Sequence, residues 1–398
     1  MNVVLHQDKF HRIIFKSYRI DKIKKEEQTI RNLLCYYQEM SCEQYPNEAL
    51  FSYILGYNYD AKFKVSLNTF GSYSLIEYTL SAIDPQFIKD EKYTTESLKE
   101  LFICACKPVM NNNKADSILF KRVYDIYESD LLSKEDSHQS MALRGTINTY
   151  FKGTDRDYDA IGNLDDLAKI SEEDLYNYYQ KVLLEEQISI LSSTDPDSKT
   201  DNLITLTPKS NYHFKQRINV EKMKVVDAEC SQTYLEVIYE TKTFANDKLY
   251  YAMMFLNYLF GGASSSYLFK IVREKYGLCY AISSMYLGAT GIILVSTILD
   301  KKNVQNALSA FEEAISEIKL GNFDCEEVRK HYISVYKANT DFQETSIANY
   351  LSDNYFLDSP KSSDELEGIL SVTKEDIITC ANLLEQTFIY VYGGENNE

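Results

Sequence analysis

Tryptophan is absent from the 398 residues, proline occurs six times, glycine fourteen times and histidine only five times. Each scarcity removes a class of explanation. The histidines are His6, His11, His138, His213 and His331, and no two share a helical face at the short spacing a metal needs. None begins the run His-x-x-Glu-His. The eight cysteines contain no C-x-x-C pair, which removes the zinc ribbon and the thioredoxin-like redox motif. They stand mostly alone in apolar surroundings and read as reduced, buried thiols of a cytoplasmic protein. Basic charge is short as well: 42 Lys and Arg face 59 Asp and Glu, a net charge of −17, the wrong sign for a nucleic-acid binder. No apolar run approaches the roughly 18 residues of a membrane span. The N-terminal stretch MNVVLHQDKFHRIIFKSYRI lacks the apolar core of a secretory signal. The expected location is therefore the cytoplasm.

What is present is an ordinary globular composition, 44% hydrophobic and 25% charged, over a length that suits about two or three domains. A repeat organises it. Residues 170–191, ISEEDLYNYYQKVLLEEQISIL, and 372–391, VTKEDIITCANLLEQTFIYV, both run from Ser or Thr through Asp into a helical pattern and then a β-rich run. Ser171 with Asp174, and Thr373 with Asp376, stand at capping-box spacing, so each pair marks a helix start. The two units lie about 200 residues apart, which indicates a duplication rather than a solenoid. Residues 192–212 carry two of the prolines amid Ser, Thr, Asp and Asn and read as a linker. The expected domains are 1–209 and 210–398. Each mixes strands with long helices, which predicts an α+β fold: two duplicated domains, each an antiparallel sheet covered by helices on one face.

The segment 260–280, FGGASSSYLFKIVREKYGLCY, spends two scarce glycines before a helix. Gly261 and Gly262 are expected to end the preceding helix and to allow positive φ. One of Ser264, Ser265 and Ser266 can cap the next helix. Leu268, Ile271 and Val272 form its apolar stripe. Arg273 and Lys275 suit the negative end of the helix dipole, and Gly277 is the residue that closes it. Local physics alone thus explains every residue as a well-capped helix followed by a strand.

The longer run GGASSSYLFKIVREKYGLCYAISSMY also resembles the second-domain signature of the pitrilysin/insulinase-type zinc peptidases, the inverzincin group that includes mitochondrial processing peptidase. GNLDDLAKISEEDLYNYYQKVL is similar to the end of that family's first domain, and the resemblance extends over nearly the whole chain. It implies two duplicated α+β domains. It also implies that Arg273 and Tyr280 match an Arg/Tyr pair that contacts the substrate backbone and the developing oxyanion, where such donors are a strong source of rate.

The resemblance fails at the metal. The family holds zinc with His-x-x-Glu-His on a first-domain helix. Anchored on Glu43-Gln44-Tyr45-Pro46, those positions fall on Asn32, Leu33, Leu34, Cys35 and Tyr36. Asn and Tyr are poor zinc ligands, and a buried cysteine is no general base. Glu128 and Asp130 read as a solvated helix face rather than a distal ligand. The chain is therefore expected to bind no cofactor, to have no catalytic residue of its own, and to resemble the family's metal-free members. The resemblance implies a heterodimer with a homologous His-x-x-Glu-His subunit that carries the zinc, a peptide substrate, no nucleic acid and no membrane. Activity as a metalloendopeptidase is expected only with that partner, in peptide processing such as bacteriocin maturation or elongation-factor modification. The alternative is an inert peptide-binding scaffold; the retained Arg273 and Tyr280 weigh against it. A cysteine hydrolase would need a Cys–His pair that nothing in the sequence marks.

Overall fold

The computed structural model describes residues 2–154, 156–195, 221–356, 358 and 360–394. Among these the chain runs β1 (Val3–His6), β2 (Arg12–Lys22), α1 (Gln28–Met40), α2 (Glu48–Tyr57), β3 (Lys62–Phe70), β4 (Tyr73–Ile83), α3 (Thr95–Ala105), the short hairpin β5 (Met110–Asn111) and β6 (Lys114–Ala115), α4 (Ser117–Glu135), α5 (His138–Tyr150), α6 (Leu164–Leu167), α7 (Glu172–Val182) and β7 (Glu186–Ser193). It continues through β8 (Met223–Val226), β9 (Thr233–Glu240), α8 (Tyr250–Asn257), β10 (Cys279–Leu287), β11 (Ile292–Leu299), α9 (Val304–Lys319), α10 (Cys325–Asn339), α11 (Gln343–Tyr355), α12 (Glu365–Ser371), α13 (Lys374–Leu383) and β12 (Glu385–Gly393). The linker read at 192–212 lies, from residue 196 on, outside the described residues, as does the expected boundary at 209/210.

Two compact units result, 1–133 with 158–207 and 134–157 with 208–398. The first holds a five-stranded sheet in the order β1-β7-β2-β4-β3, the second one in the order β10-β11-β9-β12-β8. Read from the short edge strand, the two orders are the same sequence of equivalent strands. Both capping boxes form: Ser171 and Asp174 bond reciprocally at the start of α7, and Thr373 and Asp376 do so at the start of α13. Each box starts the helix that leads into the strand inserted last, β7 or β12. That strand pairs antiparallel with β2 or β9 on one side. On its other side it pairs parallel with β1 or β8. The α+β class is as expected, and each sheet adds one parallel edge strand to an otherwise antiparallel ladder.

Alternation along the strands sorts side chains onto faces. In the first unit Ile13 and Phe15 of β2 join Leu33, Leu34 and Tyr37 of α1 in one buried core. Full burial of such a side chain stabilises by about 1.5–3 kcal/mol. In the second unit Leu235, Val237 and Tyr239 of β9 pack under α8, α9 and α13.

Two expectations need correction here. Residues 134–157, read as part of the domain 1–209, belong to the second unit. There α5 covers the opposite face of the sheet, where Tyr150 and Phe151 pack with Ile238, Phe388 and Tyr390. The fit depends on Gly145, because a Cβ at that position would collide with the Tyr390 ring. Helices therefore cover both faces of this sheet, not one. The second correction concerns the segment around 260. Tyr258–Gly262 and Phe269–Lys275 are π-helical turns, a wide form that occurs mostly as isolated bulges, often at functional sites.

Candidate functional site

The helix α1 carries the positions at which the resemblance implies a metal site. It is anchored by Arg31, whose guanidinium makes a two-pronged bond to Glu185 at 2.5 and 2.8 Å and also donates to Tyr178 Oη at 3.2 Å. Both side chains are buried. Burial opposes the Arg31 charge, but the Glu185 carboxylate more than offsets this and holds the guanidinium pKa above its ordinary value. Removing one partner of such a buried pair costs about 3–5 kcal/mol, so the pair ties α1 to the start of β7.

One turn further, Asn32 and Tyr36 share a helix face at i, i+4. Neither is open. Asn32 Nδ2 donates to Gln28 O at 2.8 Å and to Ala160 O at 2.9 Å. Tyr36 Oη donates to Asp130 Oδ2 at 2.7 Å, and its ring lies 5.0 Å from that of Tyr127. Burial, then the Asp130 carboxylate, raise the Tyr36 phenol pKa, so it stays a neutral donor. Cys35 points into the core, and burial pushes its thiol up to about 12. The general-base position thus holds a neutral thiol at physiological pH. Asp130, expected on a solvated face, is exposed but engaged by Tyr36. No group of three or more His, Cys, Asp or Glu among the described residues could hold a metal ion.

In the second unit the expected helix start and stripe form around the π-turn Phe269–Lys275. Ser266 Oγ accepts from Phe269 N at 3.4 Å, and Leu268, Ile271 and Val272 are buried. Gly277 takes φ +60° at the helix end. Gly261 and Gly262 do not have positive φ, contrary to expectation. Their reason is close approach. A Cβ on Gly261 would sit 2.7 Å from Ser284 Oγ and 2.8 Å from Leu268 Cδ1. On Gly262 it would sit 3.1 Å from Asn257 Nδ2. The two glycines let the π-turn close onto β10, where Ser284 Oγ donates to Asn257 Oδ1 at 2.8 Å.

Arg273 lies in the last turn, exposed, with its guanidinium 4.7 Å above the Phe269 ring. It makes no ion pair among the described residues. The neighbouring Lys275 and Tyr276 instead both reach Glu313, at 2.6 and 2.8 Å. Tyr280 stands on the edge strand β10 at an irregularity between Cys279 and Ala281 that interrupts the pairing with β11. Such bulges re-aim a side chain. Tyr280 is 74% exposed, and its hydroxyl has no partner among the described residues. The structure thus sets Arg273 and Tyr280 on either side of the short turn 276–278, both pointing donors outward. Such donors can neutralise an anionic or carbonyl oxygen.

Residues 169–332 match the family model described as the peptidase M16 inactive domain. The chain is 24% identical to the probable inactive metalloprotease YmfF of Bacillus subtilis (strain 168), covering 98% of this chain and 95% of that protein. Among solved structures it is similar in fold to a conserved protein from Enterococcus faecalis V583, with TM-score 0.86, 22% identity, and coverage of 99% of this chain and 96% of the other. A peptidase M16 inactive domain from Pseudomonas fluorescens aligns with TM-score 0.75 and 12% identity over 98% and 95% of the two chains. No helix among the described residues is long and apolar enough to cross a membrane.

Proposed function

We propose that the chain, which is similar to inactive-type M16 peptidases, is the non-catalytic, substrate-binding subunit of a heterodimeric zinc peptidase that processes a peptide or small protein. The observation that carries this reading is the contrast between the two candidate sites. The metal positions on α1 are closed by their own hydrogen bonds. The two donors at the other site, Arg273 and Tyr280, are exposed and make no bond that the fold requires. A side chain kept for stability is normally packed or paired. In this reading the zinc and its general base come from a His-x-x-Glu-His subunit, while Arg273 and Tyr280 hold the substrate backbone and stabilise the oxyanion. The peptide is extended and can add to the open edge of β10, where main-chain bonds supply affinity.

Co-expression with a homologous His-x-x-Glu-His protein tests the assembly: a 1:1 species is expected on size-exclusion chromatography. Separate elution at micromolar concentration removes the stable heterodimer. With the pair in hand, Tyr280→Phe deletes one exposed hydroxyl and leaves the fold alone. Loss of an oxyanion donor lowers kcat by roughly 100- to 1000-fold in other enzymes, and a fall of that order is expected. A complex that cleaves at the same rate with Tyr280→Phe removes the oxyanion role of Tyr280, and a complex that forms but cleaves no peptide favours the inert scaffold.

A further inference from the structure

In the first unit the helix-facing side of β2 and β7 changes character half way along. Ile13, Phe15 and Leu191 belong to the core. The next rows on that face are Ser17 opposite Ser189 and Arg19 opposite Gln187. Residues two apart on a strand share a face, so these four follow the apolar ones under the helices. Of the four only Ser17 is buried, while Arg19 and Ser189 are half-buried and Gln187 is exposed, so this end of the face opens to solvent. They face a cavity of about 970 Å³ bounded by the sheet, α3 and α7. That volume lies at the upper end of the range typical for small-molecule sites.

The floor of the cavity is organised. Ser17 and Ser189 hydroxyls lie 3.0 Å apart, and Gln187 Nε2 donates to Ser17 Oγ at 2.9 Å. Arg19 Nη1 donates to the carbonyls of Leu183 and Glu185 at 3.0 and 3.3 Å, which holds the guanidinium in place. Its Nε and Nη2 have no partner among the described residues. Phe102 and Ile103 supply an apolar wall. Lys99 and Lys107 also line the cavity, against one carboxylate, Glu43. Lys99 is paired with Glu96 at 3.4 Å, so Arg19 and Lys107 are the lining cations set against Glu43. Cys106 lines it too, but burial raises its thiol pKa, so the space holds no thiolate.

We propose that this cavity binds a small amphipathic carboxylate, its head on Arg19 and the polar floor and its hydrocarbon body along Phe102 and Ile103. An anionic head takes up the open donors of Arg19. The apolar tail replaces water against the α3 wall. The lining residues all belong to the first unit, and the proposal does not depend on the peptidase reading.

Isothermal titration of the full chain with decanoate tests the proposal, beside decyltrimethylammonium, which has the same tail and the opposite head. Saturable 1:1 binding of decanoate is expected, with the cation at least about tenfold weaker, a preference of about 1.4 kcal/mol. Lys99→Met with Lys107→Met should weaken decanoate about tenfold at low salt, and the loss should shrink as salt rises. Ile103→Glu sets a carboxylate on the wall at a half-exposed position and should abolish binding while leaving the melting temperature of the free chain nearly unchanged. Three results overturn the proposal. They are no saturable heat at millimolar decanoate, equal affinity for both head groups, and decanoate binding that Ile103→Glu does not alter.

Discussion

Glu236 is a carboxylic acid 2% exposed on the central strand β9. Burial raises its pKa to about 7, partly opposed by the hydroxyl of Ser296, which donates to it. Unfolding returns it to about 4.5. The folded state therefore binds this proton more tightly, and the stability it contributes is complete below pH 4.5 and lost as pH rises through 7. The difference corresponds to roughly 3 kcal/mol. Glu236→Gln should be the more stable protein at pH 8 by an amount of that order and should approach wild type at pH 4.5. Chemical denaturation at the two pH values reads it, and an unchanged pH slope in the variant would refute the assignment. Gly261 is the opposite case, a residue whose role was visible but misread. Two adjacent glycines mark a backbone constraint, but the sequence does not say whether it is positive φ or contact. Here it is contact with Ser284 and Leu268, residues 23 and 7 positions away that only folding brings near. Gly261→Ala should cost about 1–3 kcal/mol through overpacking. An alanine variant with wild-type stability would show that the contact with Ser284 and Leu268 does not require glycine.

At the scale of elements, what a sequence reveals is what it encodes locally. The boxes at Ser171 and Thr373 are encoded within four residues, and both form. Ser171→Ala and Thr373→Ala should each cost about 1 kcal/mol by freeing an N–H at the helix start. The two lie in different units, so the double mutant should show the sum in denaturant melts. A single loss with no second effect would mean that one cap is redundant. The parallel edge strands were not legible. β1 and β8 are four residues each, too short for alternation to register, and their partners lie far along the chain, Val3 opposite Ile190 and Val225 opposite Val391. The π-turns were hidden for another reason, since the apolar stripe of 268–272 suits an α-helix as well as a wider one. The same limit applies to the cavity. Ser17 and Arg19 fall in phase with Ile13 and Phe15 within RIIFKSYRI, a signal present in the sequence but meaningful only once α3 and α7 are known to roof that face.

For the whole molecule, the duplication was readable from one helix–strand repeat, and the matching strand orders extend it to five strands per unit. The exception is α5, a helix from the first half of the chain that packs with the second unit through a contact with no local signature. Metal chemistry is decided at this scale as well. With Asn32, Cys35 and Tyr36 bonded or buried, the purified chain should carry well below one zinc per molecule after dialysis, and added zinc should not raise its melting temperature. One tightly held equivalent, measured by elemental analysis, would reveal a ligand set that these positions do not supply.

Inserting the last strand between two early ones also imposes a timetable on synthesis. Ser17 and Ser189 meet across the first sheet from positions 172 residues apart. At about 5–20 residues per second, the ribosome needs on the order of 10–30 s to deliver β7 after β2 has emerged. Through that interval β1 has no neighbour and β2 has one open edge, both ready to pair with another nascent chain. The wait repeats for β8 and β9 until β12 appears. Slow local decoding before residues 186 or 385 would lengthen it, and chaperones that shield strand edges would matter most in those two windows.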